Sequence, residues 1–419
     1  MRASDRVRGR HANGVGCVLM LQRLRALLML AVALVCVRVL GFYRKERPTW
    51  LVCERRDEAR DNGYHFFRYV RQNHPEVNVR YVIERGSADR TKVERLGPVI
   101  DWGSFQHYLA WVAAACAISA HPGACAPDPN FCWRARRAGL VKFCSANLRH
   151  GVIGSSFPDY MLSSNGGYHM LVASAPREYA FLVHELGHDE DVVQLTGLCR
   201  FDELHREVAA RRQVLLMPTW RRFFRATGDR SADEKRFIAS AYFRFFQGFL
   251  GSSQLRDVLV RHGYSLVFFP HYELQRYLHL FDVEGEAMSI ADREAHDVQS
   301  LLMESRVLVT DYSSVSFDFA YMHKPVVYAL PDDDEFFAGH FERGYFRPDR
   351  DGFGPVVREP DDAVREINML LARDGELDAG YRSKVDAFFQ LRDARNCERN
   401  YAAVADLVAR RRGDATGTP

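Results

Sequence analysis

Val307-Leu308-Val309-Thr310-Asp311-Tyr312-Ser313-Ser314-Val315-Ser316-Phe317-Asp318 changes character twice within one short stretch. Its first four residues are mostly β-branched, which predicts a buried strand. Asp311–Ser314 is polar and turn-forming, and Val315 opens a helix. Ser313 and Ser314 can cap that helix, and the N–H groups beside them favour an anion. Asp318 stands four residues beyond Ser314, one turn on and on the same face. It can accept from a ligand hydroxyl or simply complement the helix dipole. Strand, polar loop and helix together make half of a βαβ unit.

The same grammar repeats on both sides. Trp50–Cys53, Val79–Ile83, Ala117–Ala120, Val141–Cys144 and Leu171–Ala173 read as one series of strands. Val214–Met217, Leu266–Phe269, Ala287–Ile290, Val307–Thr310 and Val326–Ala329 read as a second. Helical stretches such as Gly63–Asn73, Phe237–Leu250 and Val298–Ser305 lie between them. Strands alternating with helices predict parallel sheets covered on both faces. The expected fold class is therefore α/β, with two doubly wound domains. Their boundary is expected near Arg200–Gln213, giving residues 48–205 and 206–400, with 401–419 as a helix end and tail that frays from Arg410. A length of 419 residues suits two or three domains.

Ligands of open α/β sheets bind beyond the carboxyl ends of strands. Four loops follow strands there: Asn147-Leu148-Arg149-His150-Gly151, Pro218-Thr219-Trp220-Arg221, Pro270-His271-Tyr272 and Asp311–Ser314. None holds an acidic pair suited to Mg²⁺. His150 can take a proton from an acceptor hydroxyl, and Gly151 lets backbone approach a ligand. His271 can donate to a phosphate or protonate a leaving group. Thr219 and Arg221 offer a hydroxyl and a planar cation for phosphate, and Arg200 offers a second cation. Each of these residues is equally compatible with a structural histidine, a plain cap or a surface ion pair.

Residues 1–47 stand apart. Arginines at positions 2, 6, 8, 10, 23 and 25 precede an apolar run from Ala26 to Val37. Arg38 interrupts it, and Arg44, Lys45 and Arg47 close it before Pro48. The run is short for a bilayer span, so a helix lying on an anionic membrane face competes with a single anchor and a signal peptide. Lys+Arg at 57 against Asp+Glu at 54 leaves a net charge of +3, too balanced for a dedicated nucleic-acid binder. The nine cysteines contain no CxxC pair and sit in apolar runs, so buried thiols are expected rather than zinc or disulfides.

His184-Glu185-Leu186-Gly187-His188 matches the HExxH zinc-hydrolase pattern, but the positions that would extend it hold Asp191 and Gln194. Asp332-Asp333-Asp334 follows Pro331 and reads as a solvated loop.

Taken in order, Thr196-Gly197…Arg200-Phe201-Asp202, Pro218–Arg221, Pro270–Tyr272, Thr310–Ser314…Phe317-Asp318 and Lys324-Pro325 resemble the CDP-glycerol glycerophosphotransferase family. That family includes the teichoic acid polymerases and primases. Cys53-Glu54-Arg55…Asp61-Asn62-Gly63-Tyr64 and Gly344-Tyr345-Phe346…Asp351-Gly352-Phe353-Gly354 look similar to the same family. The resemblance implies a GT-B-type fold, two Rossmann-like domains facing a cleft, here behind an N-terminal apolar and basic helix. It implies an acceptor domain first and a CDP-glycerol domain second. The implied reaction moves glycerol phosphate from CDP-glycerol to an acceptor hydroxyl and releases CMP, with no metal or other cofactor. The implied acceptor is a lipid-linked or polymeric polyol or glycan at the cytoplasmic membrane face.

By position, His150 looks like the family's base and His271 like its second histidine. Arg200, Thr219, Trp220, Arg221, Pro270, Ser313, Ser314 and Asp318 look like donor contacts, with Gly151 beside the base. Arg149 departs from the pattern, where glutamine is expected, and bears on the acceptor. Three other functions remain: a GT-B glycosyltransferase using a nucleotide sugar, a zinc hydrolase, and an inactive membrane scaffold.

Overall fold

The computed structural model describes residues 4–42, 48–123, 125–157, 161–283, 285–291, 296–339 and 342–416. They form two compact units. The first comprises Met1–His150, Tyr168–Leu171 and Cys397–Pro419, and the second Gly151–Gly167 and Val172–Asn396.

The first unit is built on a sheet that includes β1 (Thr49–Cys53), β2 (Val79–Ile83), β3 (Val99–Asp101), β4 (Ala114–Ser119), β5 (Cys144–Asn147) and β6 (Met170–Ala173). They lie in the order β3-β2-β1-β4-β5-β6, and every pairing is parallel. All five residues of β1 are buried, as a central strand covered on both faces requires. The helix Asn62–Asn73 covers one face with Phe66, Phe67 and Val70.

The second unit repeats the plan with β7 (Gln213–Leu216), β8 (Ser265–Phe268), β9 (Met288–Ile290), β10 (Val307–Thr310), β11 (Val326–Ala329) and β12 (Val356–Val357). Their order is β9-β8-β7-β10-β11-β12, again wholly parallel. Each sheet thus grows outward from its first strand in one direction, then from its fourth strand in the other. The crevice where the direction reverses is the expected ligand position of a doubly wound sheet.

Three sequence expectations shift. The strand expected at Val141–Cys144 runs instead from Cys144 to Asn147, pairing Cys116 with Cys144 and Ser119 with Asn147. Small residues suffice there because neighbours cover both faces. The helix expected at Phe237–Leu250 is two helices, Arg230–Ile238 and Ala241–Leu250. Ser240 starts the second by accepting from Phe243 N–H, and an N-cap residue leaves helical geometry. The C-terminal helix spans Asn396–Thr416, through most of the stretch expected to fray. Within the first unit, Tyr401 of this helix stacks on His74 and touches Trp50, and the Cys144 thiol reaches the Leu407 carbonyl.

A helix occupies Ser4–Arg38. Its Met20–Arg38 portion is long and apolar enough to cross a membrane. Yet Ala26, Leu30 and Ala33 are buried in one core with Tyr108, Trp111, Cys132 and Phe143. The opposite face leaves Leu21, Leu24, Leu28, Val32 and Val35 exposed. The small alanines let the helix seat closely against the helices Phe105–Ala113 and Pro129–Arg137. Arg44, Lys45 and Arg47 lie outside the described residues. The eight described cysteines are buried free thiols.

Candidate active site

In the first unit, the loops after β1, β4 and β5 bring Asp61, His121 and His150 together at the sheet's reversal point. Glu54, the first residue beyond β1, is buried and gathers the loop. Its carboxylate accepts from the N–H groups of Arg60, Asp61 and Tyr64 at 2.8, 2.9 and 2.6 Å. Burial, with the Asp61 charge behind it, pushes the Glu54 carboxyl up to about 8.

Asp61 so placed meets His150, with Nδ1 to Oδ2 at 2.5 Å. The approach is aimed by Arg149, whose φ of +66° is left-handed. Two neighbours hold that turn: Asn147 Oδ1 accepts from Arg149 N–H, and Asn62 Nδ2 donates to the Arg149 carbonyl. The His150 side chain is 63% exposed against 12% for Asp61, so the ring is offered outward from a buried support. His121 lies beside both, 3.9 Å from Asp61 Oδ2, with its ring centroid 4.8 Å from that of His150.

These three residues offer donor atoms within 4.8 Å of one another and could hold a divalent ion. The His150–Asp61 hydrogen bond is also the arrangement of an imidazole oriented by a carboxylate, as a general base requires.

The second unit assembles its group from the loops after β7, β8 and β10. Asp311 is the hub. Its Oδ1 accepts from Thr219 N–H and Ser313 N–H, and its Oδ2 from Arg221 Nη1. Arg221 is fully buried, and Asp332 takes its Nε and Nη2 at 2.7 and 2.8 Å. The expectation that Arg221 meets a phosphate therefore encounters a side chain already enclosed by two carboxylates and by the rings of Tyr242 and Phe336. Asp332, expected in a solvated loop, is buried in this pair. Thr219 and Trp220 remain partly open, Pro270 is buried, and the Trp220 ring stacks at 6.0 Å on His271. His271 Nδ1 accepts from Glu273 N–H, which leaves the ring proton on Nε2, a donor.

Arg200 and Asp318 form a buried two-pronged pair at 2.6 and 2.9 Å. Ser314 lies beside them, because a Cβ on Gly151 would stand 2.7 Å from Ser314 Oγ and 3.7 Å from Arg200 Nη2. Ser314 begins the helix Val315–Tyr321 without a side-chain cap bond. Its expected capping role is absent because Ser314 already has helical dihedrals, φ −64° and ψ −14°, whereas a capping residue stands in extended geometry.

Arg149 is buried, and its backbone makes the left-handed turn before His150. Lys324 donates to the Leu302, Met303 and Ser305 carbonyls and ends the helix Val298–Glu304. Gly354 allows close packing, since a Cβ there would stand 1.7 Å from the Val326 carbonyl oxygen.

The HExxH stretch does not form a metal face. His184 and Glu185 end a π-helical turn and are exposed. Gly187 then turns the chain with φ +73°, and His188 is buried against the Met161 carbonyl.

The sequence reading quoted Glu54 and Asp61 only within a stretch similar to the family, with no role, and did not single out His121. The rule that picked the other loops also covers the segments after Cys53 and Ser119, where these residues stand.

Two doubly wound sheets, each with polar side chains collected at its reversal point, define a two-domain α/β architecture of the kind that binds nucleotides. The chain belongs to the CDP-glycerol:poly(glycerophosphate) glycerophosphotransferase family, whose model matches residues 154–406. It is 29% identical over 367 residues to the minor teichoic acid biosynthesis protein GgaB of Bacillus subtilis, covering 86% of this chain and 40% of that protein. A teichoic acid poly(glycerol phosphate) polymerase of Bacillus subtilis is 28% identical over 186 residues, 44% of this chain and 23% of its own length. The chain therefore spans less than half of either relative. The wall teichoic acid polymerase TagF superposes with a TM-score of 0.63 at 15% identity, covering 99% of this chain and all of that one. A UDP-GlcNAc 2-epimerase of Neisseria meningitidis superposes at 0.50 and 12% identity, over 86% of this chain and all of its own. The fold is thus the GT-B type.

Proposed function

We propose that the chain transfers glycerol phosphate from CDP-glycerol to a hydroxyl of a cell-surface polymer or its lipid-linked precursor and releases CMP. The first unit takes the acceptor and the second the donor. The observation that carries the reading is the Asp61–His150 hydrogen bond, which supports an exposed imidazole at the sheet's reversal point. With the proton of Nδ1 directed to Asp61, the ring lone pair is on Nε2. His150 takes the acceptor proton there. The acceptor oxygen bonds to the phosphorus bearing glycerol, the bond from that phosphorus to the CMP oxygen breaks, and CMP leaves. The hydroxyls of Thr219, Ser313 and Ser314 would contact the pyrophosphate, with His271 donating to a phosphate oxygen. Arg221 and Asp311 hold those loops in register.

The exposed apolar face of the N-terminal helix, with Arg23, Arg25, Arg134, Arg137 and Lys142 exposed on the same unit, supports a seat on an anionic membrane at the cytoplasmic face.

The test is CMP release by the full chain from CDP-glycerol with a membrane acceptor, with a chelator arm and with UDP-sugars in place of the donor. His150→Ala should lower turnover by ~10²–10⁴, the usual contribution of a general base. Turnover within ~3-fold of the unaltered chain would remove His150 as base. The chelator arm reads whether a divalent ion at Asp61, His121 and His150 takes part.

A further inference from the structure

Asp61, His121 and His150 have a second capacity beside proton transfer. They come from three different loops, after β1, β4 and β5, and their donor atoms lie within 4.8 Å of one another. Each loop is held from its own strand. Glu54 accepts from the Asp61 N–H. Ser119, the last residue of β4, accepts from the His121 N–H at 3.0 Å and donates to the His121 carbonyl at 2.7 Å. Asn62 and Asn147 pin the Arg149 turn that carries His150. The donors are therefore gathered before any ligand arrives, which removes much of the ordering cost of binding one. The donor set also selects the ion. Two imidazoles and one carboxylate suit zinc and its transition-metal neighbours, whereas magnesium and calcium take oxygen ligands. Three protein ligands leave a coordination position open, and the exposed His150 ring keeps the site within reach of solvent.

The consequence for His150 follows from which ring atom the ion takes. Nδ1 is the nitrogen bonded to Asp61 Oδ2, and the ion replaces the proton held between these two atoms. A neutral imidazole with a metal on Nδ1 carries its single proton on Nε2. The Nδ1 proton leaves to water as the metal–nitrogen bond forms, and Nε2 gains one from water, so the ring keeps one proton throughout. The nitrogen that takes the acceptor proton thereby becomes a donor, and the lone pair needed for transfer is gone.

We propose that Asp61, His121 and His150 form a zinc-binding site, and that zinc bound there stops transfer by fixing His150 in the tautomer that cannot act as a base. The inhibition rests on the transferase reading; the ion site does not.

The probe is Co²⁺, whose visible bands report its ligands, titrated into the full chain with Zn²⁺ as competitor. Saturable bands are expected that Zn²⁺ erases and excess Mg²⁺ does not, without the sulfur-to-metal absorption that the buried thiols would add. His121→Ala and His150→Ala should each weaken Co²⁺ binding at least ~10-fold. In the unaltered chain, Zn²⁺ should lower CMP release at the concentration that displaces Co²⁺, and a chelator should restore it. On the turnover that His121→Ala retains, the midpoint of zinc inhibition should rise at least ~10-fold. The two variants lie in different loops, and His150 is exposed, so its replacement decides the site if His121→Ala misfolds. Equal bands in the unaltered chain and both variants, or bands carrying sulfur absorption, would overturn the site. Zinc that displaces Co²⁺ without slowing transfer would overturn the inhibition. Zinc-sensitive bands, lost in both variants, in a chain that releases no CMP from CDP-glycerol would retain the site and remove the transferase reading.

Discussion

Asp61 acts on His150 through one hydrogen bond, and its own position is set by Glu54. Asp61→Asn keeps the shape but loses the charge that favours imidazolium as the acceptor proton arrives. We expect kcat to fall at least ~10-fold with KM for CDP-glycerol within twofold. An equal rise in KM alone would make Asp61 a donor contact instead. Arg221 is a contrasting residue, fully enclosed with Asp311 and Asp332. Removing one partner of a buried ion pair costs about 3–5 kcal/mol, because the remaining charges keep no compensation. Arg221→Ala should therefore lower stability in a denaturant titration by that amount, and Lys should not rescue it, lacking the planar fork that Asp332 binds. Arg221 followed a strand, as a phosphate ligand would, but nothing in its spacing showed that Asp332, 111 residues on, would take the guanidinium. His150 was legible because glycine and a strand flank it. Asp61 was not, because carboxylates after strands are common and only the tertiary fold brings residue 61 to 150.

At the scale of elements, periodicity located all ten expected strands at or near their positions, since buried β-branched runs have few alternatives. The missed strands, among them Val99–Asp101 and Val356–Val357, are two or three residues long and take their pairing from neighbours rather than from their own pattern. The joint between β4 and its neighbouring helices also carries a pH response. His107 is buried, bonded to the Cys125 carbonyl, and burial lowers its pKa to about 3. His169, beside Ser145, is lowered by burial to about 4. Unfolded histidine titrates near ~6.5, so below that pH the unfolded chain binds protons that the folded chain refuses. Stability should be fully present above pH ~6.5 and fall as pH drops toward 4 and then 3. His107→Gln should flatten this decline in thermal unfolding measured from pH 7 to 4. An unchanged slope would exclude His107 as a source.

For the whole molecule, the N-terminal helix is part of the first unit's core as well as an apolar surface. Deleting residues 1–38 should therefore expose Tyr108 and Trp111 and drive aggregation, read by size-exclusion chromatography and dye binding. The paired change Leu28→Ser and Val35→Ser alters only exposed positions. It should leave the chain monodisperse and reduce its sedimentation with anionic vesicles. A soluble, folded deletion would show that the alanine-lined face contributes little. Strands alternating with helices predicted two doubly wound domains, but the sequence could not show this dual use, because an apolar run looks alike whether lipid or protein covers it.

The closing helix Asn396–Thr416 packs against strands and helices laid down at the start of the chain. On a ribosome adding ~5–20 residues per second, the stretch from 151 to 396 occupies roughly 12–50 s. Throughout that interval the nascent first unit waits with the Trp50 and Cys144 surfaces uncovered, while the second can complete itself. Translation that stopped before Tyr401 and Leu407 would thus disable the unit that was translated first.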